Sequence, residues 1–406
     1  MPSKKLVIVP SLKKSPSPVK MEQEKTYNKE FVAVLSELGD IMMRQGEPFR
    51  ARAYIQAAES IMTYPNPITN PDQLKGVKGI GSTILSKLHE YVQTGTLKAL
   101  ERERNNPITK LTTVYGVGPK KAKELVAAGI TTVDQLKERP ELLTGNMLLG
   151  LKYYDDIEER IPRAEIDEYK GVLTGVFNKV TPPGSTFEIV GSYRRGAAAS
   201  GDIDIIITND KNNKAAFNDF LDALVKDGIV IELLTRGKTK SLTIARLPGK
   251  KARRVDFLYA DPNEYAFAIL YFTGSKIFNT VQRQRALDLG MTLNEHGLHE
   301  MVQGKKGKKI EGQFPDEQSI FKFLGMKYKT PEERVDGRAV VLDTGDASPA
   351  PKQAAPKATE KKTTLKVRKP VKKDAVQAFL TEGVGFLKTQ TEAELSKMIR
   401  QANDAY

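Results

Sequence analysis

The sequence predicts a multidomain protein of α and α+β class, helical in its first part and built on a mixed β-sheet afterwards. Two observations predict it. From Tyr27 to about residue 160 apolar residues recur at helical spacing, as in Phe31, Val34, Leu35 and Leu38 and again in Ile84, Leu85, Leu88 and Val92. From about residue 162 short β-type apolar runs take over, at Phe187–Val190, Ile203–Thr208, Ser241–Ala245 and Val255–Tyr259, with a helix expected around 214–226. A length of 406 residues leaves room for several such domains and for ample core.

Taken in order, residues 1–24 are rich in Lys, Ser and Pro and read as a basic disordered tail. Residues 25–105 form a helical domain around the turn Gly76-Val77-Lys78-Gly79-Ile80-Gly81-Ser82, and residues 106–161 form a second around Tyr115-Gly116-Val117-Gly118-Pro119-Lys120-Lys121. The two turns are an internal repeat. In each, a Gly-x-Gly pair (Gly79 and Gly81, Gly116 and Gly118) lets the backbone turn tightly, and the helix that follows presents free N–H groups. One copy would be an ordinary αα-hairpin. Two copies in a basic chain point to helix-hairpin-helix elements that grip a nucleic-acid backbone without reading bases. Residues 162–262 carry the sheet and 263–335 are of mixed pattern. Residues 336–373 read as a Pro-, Ala- and Lys-rich linker, and 374–406 as a helical extension with Leu395, Met398, Ile399 and Ala402 on one face.

Composition narrows the chemistry. The chain has no Cys and only three His, so thiolate and His-based zinc sites are not expected, and any metal chemistry falls to carboxylates and hard Mg²⁺ or Mn²⁺. A net charge of +14 points to a polyanionic partner. No apolar run approaches the ~20 residues that span a bilayer, so an intracellular, non-secreted protein without a membrane partner is expected.

The chemistry concentrates in GSYRRGAAASGDIDIIIT, Gly191 to Thr208. Asp202 and Asp204 open a strand, where residues i and i+2 share a face, beside a Gly-rich loop carrying Arg194 and Arg195. That suits divalent cations and a polyphosphate. A third carboxylate is expected on a neighbouring strand, and Asp256 in Arg253-Arg254-Val255-Asp256-Phe257-Leu258-Tyr259 supplies it. The alternative for Asp256 is a salt bridge with Arg253 or Arg254. Three carboxylates fit a two-metal scheme for nucleotidyl transfer.

Gly191–Asp204, Arg254–Asp256, Tyr271-Phe272-Thr273-Gly274-Ser275 and the two hairpin turns, in this order across about 27–335, resemble the family X DNA polymerases of the beta type. The resemblance implies a helix-hairpin-helix lyase-like domain at 25–105. It then implies a fingers, palm and thumb polymerase, with a DNA-binding subdomain at 106–161, a catalytic palm on a nucleotidyltransferase-type mixed sheet at 162–262 and a nucleotide-selection subdomain at 263–335. It implies two Mg²⁺ or Mn²⁺ ions on Asp202, Asp204 and Asp256, with Asp256 accepting the primer hydroxyl proton. It places the incoming triphosphate against Arg160, Ser192, Arg195 and Gly201, and its sugar against Tyr271, Phe272 and Gly274. Asn279 and Arg283 match minor-groove contacts, and Arg254 a residue near the primer terminus. Lys87 matches a 5′-deoxyribose-phosphate lyase nucleophile with Tyr54 beside it, and Arg50 a 5′-phosphate contact. Thr83 stands where a second lysine is often found, which bears on lyase efficiency. Na⁺ or K⁺ sites are implied at the carbonyls of Lys75, Val77 and Ile80 and of Thr112, Val114 and Val117.

The expected activity is templated filling of short gaps from dNTPs in base excision repair, with lyase removal of the 5′ sugar. The expected substrate is gapped or nicked duplex DNA with a 5′-phosphate. A monomer is expected, working in the nucleus or another site of repair alongside a DNA ligase. The segment Leu233–Ser241 between two strands is short, which favours templated over untemplated addition. An untemplated nucleotidyltransferase and a catalytically silent gap-binding protein are the alternatives. Residues 391–406 show a short likeness to the opening of an NAD-dependent DNA ligase. A polymerase–ligase fusion or a docking helix would account for it.

Overall fold

The structure, a computed structural model, describes residues 25–343. The tail at 1–24 and the extension at 374–406, with its ligase-like segment, lie outside the described residues. Among the described residues no helix is long and apolar enough to cross a membrane.

The first part is helical, as the spacing predicts. α1 (Asn28–Arg44) and α2 (Pro48–Met62) pack tightly enough that a Cβ on Gly39 would lie 2.8 Å from the Ile55 side chain. Phe31 and Leu35 of α1 and Ala57, Ala58 and Ile61 of α2 share one core with Ile84 and Leu88 of α3 (Ser82–Thr94). α4 (Lys98–Arg104) and α5 (Pro107–Leu111) follow. The buried Gln45 amide after α1 donates to Glu103 on α4 and Thr109 on α5, both at 2.9 Å, which ties the first helical part to the second. α6 (Pro119–Ala127), α7 (Val133–Lys137), α8 (Asn146–Lys152) and α9 (Tyr154–Glu158) complete the second. A Thr132–Gln135 capping box starts α7 by satisfying its free N–H groups.

The sheet-bearing part opens with β1 (Ile161–Pro162) and α10 (Arg163–Val180), then β2 (Ser185–Ile189), the one-turn α11 (Gly191–Arg194), β3 (Ala199–Ser200) and β4 (Ile203–Asn209). α12 (Ala215–Lys226), β5 (Val230–Arg236), β6 (Lys240–Ala245) and β7 (Arg253–Tyr259) follow. Five strands run β2-β4-β7-β6-β5. The β4–β7 pair is parallel and the others antiparallel, so the sheet is mixed. Ile203, Ile205 and Ile207 face α10 and α12, in a core with Tyr169, Phe177, Phe217 and Phe220. Ile206, on the other face, packs with Val190 and with Ala268 and Ile269 of α13 (Tyr265–Thr273). Both faces are covered, hence the continuous apolar run.

Three features were not legible in the pattern. β5 has register irregularities at Val230/Glu232 and Leu233/Thr235, and these break the alternation that would mark a strand. β5 and β6 also occupy most of Leu233–Ser241, the stretch expected to connect two strands, and leave only a three-residue turn at 237–239. The mixed segment after α13 and α14 (Lys276–Asp288) holds a three-stranded antiparallel sheet of β8 (Met291–Asn294), β9 (Gly297–Val302) and β10 (Lys305–Lys309), followed by α15 (Glu317–Phe323). The expected linker at 336–373 starts too early. Residues 337–339 form a short 3-10 turn, Ala339 is buried, and Met326 bridges to Leu342. Their Gly- and Ala-rich composition suits close packing against Val281 and Met62 as well as it suits a linker.

Candidate active site and nucleic-acid interface

The parallel pairing of β4 with β7 sets Asp204 directly opposite Asp256, and Asp202 stands one residue before β4. One oxygen from each of the three carboxylates lies within 4.8 Å of the others. Asp256 is 7% exposed, and its Oδ1 has no hydrogen-bond partner. Arg254 Nη2 lies 3.1 Å from Asp256 Oδ2 and 3.3 Å from Asp202 Oδ2. So Asp256 has an ion pair and also an open acceptor, and one guanidinium is shared between two acids. Arg253 points away and forms a buried bidentate pair with Glu165 at 2.7 and 2.9 Å. It also donates to the carbonyls of Asp156 and Glu159, which holds the chain leading to Arg160 against β7.

Burial, followed by the charges of Asp202 and Asp256, pushes the Asp204 carboxyl up to about 7. Burial raises Asp256 as well, against the opposing pull of Arg254. Clustered acids with one buried oxygen unpartnered, all of them hard oxygen donors, are a set that could hold a divalent cation.

The loop before β4 is packed against this set. Gly191 has φ +63°, and a Cβ there would lie 2.8 Å from Asp204 Oδ2, so only glycine lets α11 start beside the carboxylate. Ser192 Oγ donates to Ser200 Oγ at 2.7 Å, and the Arg160 guanidinium donates to the Ala199 carbonyl. Arg160 Nη1 lies 4.0 Å from the Cβ position of Gly201. Arg195 donates to the Thr273 carbonyl at 2.5 Å, which links the loop to the Tyr271–Ser275 segment. Tyr271 and Phe272 meet edge to face at 5.1 Å, and Phe272 also packs on the Val190–Ile206 cluster. Gly274 takes φ +69° and is joined to Ser275 by a cis peptide. On α14, Asn279 Nδ2 donates to the Tyr271 carbonyl at 2.6 Å while its buried Oδ1 has no partner, and Arg283 is exposed.

Four family models match successive parts of the chain between residues 26 and 335: a helix-hairpin-helix domain over 26–97, the fingers domain of DNA polymerase lambda over 109–158, the DNA polymerase beta palm over 160–262 and the DNA polymerase beta thumb over 268–335. The chain belongs to the family X DNA polymerases. Similar family X members include DNA polymerase lambda of Rattus norvegicus, 32% identical over 76% of this chain and 56% of that protein. DNA polymerase lambda of Arabidopsis thaliana is 31% identical over 76% of this chain and 62% of that protein. The DNA-directed DNA/RNA polymerase mu of Homo sapiens is 28% identical over 78% of this chain and 70% of that protein. The chain thus spans about six-tenths of the length of the two lambda relatives.

In this family X chain the two hairpin turns repeat down to single hydrogen bonds. Ile80 N donates to Val77 O and Val117 N to Val114 O, both at 3.0 Å. Gly79 and Gly116 take φ +83° and +84°. Gly81 and Gly118 cap α3 and α6 without a side-chain bond, which leaves those helix N-termini free. The carbonyls of Lys75, Val77 and Ile80 thus belong to one turn, and those of Thr112, Val114 and Val117 to its structural copy. Tyr115 of the second turn lies under the Arg254 guanidinium, 5.5 Å from ring centroid to Cζ, so the second hairpin contacts the carboxylate site directly.

Lys87 is half-buried on α3, with no hydrogen bond or ion pair among the described residues. Tyr54 is half-buried on α2 and packs with the core that α3 shares, and Arg50 is exposed one turn earlier on α2. Two features escaped the sequence reading. Phe49, next to Arg50, is 85% exposed, a flat apolar face in a basic setting. The other is an ion cluster in which Arg194 pairs with Glu317 at 2.8 Å and Glu317 with Arg334 at 2.5 Å. Its members come from distant segments, and no local pattern marks them.

Proposed function

We propose that this chain is a template-dependent DNA polymerase that fills short gaps by moving a nucleotide from a dNTP to a primer 3′-OH, with a 5′-deoxyribose-phosphate lyase in its first domain. The converging carboxylates of Asp202, Asp204 and Asp256 carry this reading. Asp202, Asp204 and Asp256 would hold two divalent cations, Mg²⁺ or Mn²⁺. Such ions, when bound, supply Lewis-acid stabilisation of the charge on the attacked phosphate and a lower pKa for the primer hydroxyl. Asp256, whose Oδ1 has no hydrogen-bond partner, would accept that hydroxyl's proton. Arg160, Ser192, Arg195 and Gly201 would receive the triphosphate, Tyr271, Phe272 and Gly274 the sugar, and Asn279 and Arg283 the minor groove. Arg254 would exchange its carboxylates for the primer terminus. Gly79, Gly81, Gly116 and Gly118 would bring the duplex backbone to the two free helix ends, with Na⁺ or K⁺ on the turn carbonyls.

The first domain at 25–105 would act on the other side of the gap. Arg50 would hold the 5′-phosphate, and Lys87 Nζ, once deprotonated, would attack the sugar aldehyde to form a Schiff base, with Tyr54 beside it. A monomer acting on nicked or gapped DNA in the nucleus fits this chemistry, as does a ligase sealing the product.

A gapped duplex with a 5′-phosphate, Mg²⁺ and the four dNTPs tests the reading. Templated single-nucleotide insertion is expected. Untemplated addition, or binding without extension, would overturn it. Borohydride trapping of an abasic 5′ end should yield a covalent adduct that Lys87→Ala abolishes, and an undiminished adduct would assign the nucleophile elsewhere.

Asp204 supports a pH test. Burial and the neighbouring acids push its folded-state pKa up to about 7, above the ordinary carboxyl value of 3.8. Between these values the folded chain holds a proton that the unfolded chain has released, so this group's contribution to stability falls as pH rises toward 7. A divalent cation replaces that proton. Mg²⁺ should therefore raise the melting temperature more at about pH 8 than at about pH 5.5. An equal rise at both would count against the carboxylate site.

A further inference from the structure

We propose that the β9–β10 hairpin is a backbone-gripping arm that holds DNA phosphates on the thumb side of the site, a role that rests on the DNA-polymerase reading above. β10 reads Lys305-Lys306-Gly307-Lys308-Lys309, and all four lysines are exposed. It is an edge strand, paired with β9 alone. Lys309 is ion-paired with Glu264 at 2.7 Å. Lys305, Lys306 and Lys308 have no ion pair among the described residues. The local field is positive enough that Lys306 and Lys309 add to burial in holding His299 below the usual histidine range.

The lysines are displayed by a defined scaffold. Gln303 and Gly304 turn the hairpin at φ +52° and +76°, the left-handed pair that a type I′ turn requires, and this sets Lys305 opposite Val302. At Gly307 a Cβ would lie 3.2 Å from the Glu300 carbonyl, so the strand is pressed onto β9 there. The register shifts between Lys306 and Lys309, which re-aims the side chains around that point. Lysines are a common way to protect an edge strand, but protection does not call for this density. Three unpaired ammonium groups within four residues repel one another, and a row of phosphates offsets that cost.

Position selects the partner. β8, at the inner side of the same sheet, lines a small cavity with Tyr271, Asn279 and Arg283 through Leu293 and Asn294. Two strand spacings of ~4.8 Å set β10 roughly 10 Å outward. A polymer carrying a charge every ~1.7 Å along its axis reaches both points at once. Lysine heads are point charges without a fixed fork, so the arm tracks the backbone and is indifferent to sequence.

The test is a salt titration of the full chain on a fluorescent gapped duplex between about 50 and 200 mM salt. The triple variant Lys305→Ser, Lys306→Ser, Lys308→Ser should make the slope of log K against log salt shallower by about 2 to 3, at ~0.9 per lost contact. The loss should be equal on two unrelated sequences. The corresponding triple Lys→Arg variant should keep the parental slope, and all three proteins should melt together. A Ser variant with parental slope and affinity would overturn the arm. If the parent inserts nucleotides and the Ser slope is unchanged, the arm alone fails. If the parent binds without inserting and the Ser slope is shallower, the polymerase reading fails and the arm stands.

Discussion

Asp256→Ala should lower single-nucleotide insertion by about 10³-fold or more, equivalent to ~4 kcal/mol of transition-state stabilisation, while binding of gapped DNA persists. The size follows from two losses at one residue. Asp256 is the most buried of the three carboxylates, and it carries the open Oδ1. On the proposed reading its removal takes away a cation ligand and the proton acceptor together. Stability should move the other way. Without Asp256, Asp204 loses one of the two charges that help push its carboxyl up, and Arg254 keeps Asp202 at 3.3 Å. The metal-free variant should therefore melt no lower than the parent. A clear drop in melting temperature with insertion retained would make Asp256 a structural partner of Arg254 instead.

Glu317→Ala should destabilise the protein by about 3–5 kcal/mol, the usual cost of leaving a buried charge without its partner. Glu317 accepts from Arg194 at 2.8 and 3.1 Å and from Arg334 at 2.5 Å. Arg334 is fully buried beneath Phe278, Phe321 and Tyr328, and its Nη2 already lacks a partner. Removing the carboxylate leaves the buried Arg334 without its ion-pair partner and Arg194 with only Glu188, at 3.5 Å. Burial acts to raise the Glu317 pKa, and the bonds from the two arginines more than offset it and hold the group below the usual range. This contribution to stability is present above about pH 4.5 and is lost as pH falls through the depressed value. Urea unfolding at neutral pH measures the effect, and Glu317→Gln should fall between alanine and the parent. The cluster also reaches the site, because Arg194 bonds Thr273 Oγ1 while Arg195 bonds the Thr273 carbonyl. Insertion should weaken in step with stability. A variant that unfolds like the parent would remove the cluster from the account.

Much of this was readable residue by residue. The repeated Gly-x-Gly turns announce themselves because only glycine tolerates φ near +83° at Gly79 and Gly116. The palm strands announce themselves because both faces of β4 are covered, so the isoleucines run together. The strands of the small thumb sheet did not. They are short, and β10 is almost entirely lysine, which carries no apolar period. The sequence favoured a cation ligand over an ion-pair partner for Asp256, and the geometry gives it both an arginine and an unpartnered oxygen.

Side-chain type and spacing along the chain suffice for the chemistry: hard oxygen donors, a glycine loop against a carboxylate, turns that free helix ends. Those are properties of a few neighbouring residues. Convergence is not. Asp204 meets Asp256 only because β7 inserts between β4 and β6 in one register, and a slip of one residue would send Asp256 to the opposite face. Arg194, Glu317 and Arg334 meet for the same kind of reason, since 123 residues separate the first pair. Contacts of that range are selected by the packing of whole elements, so the folded chain alone decides which charges face each other.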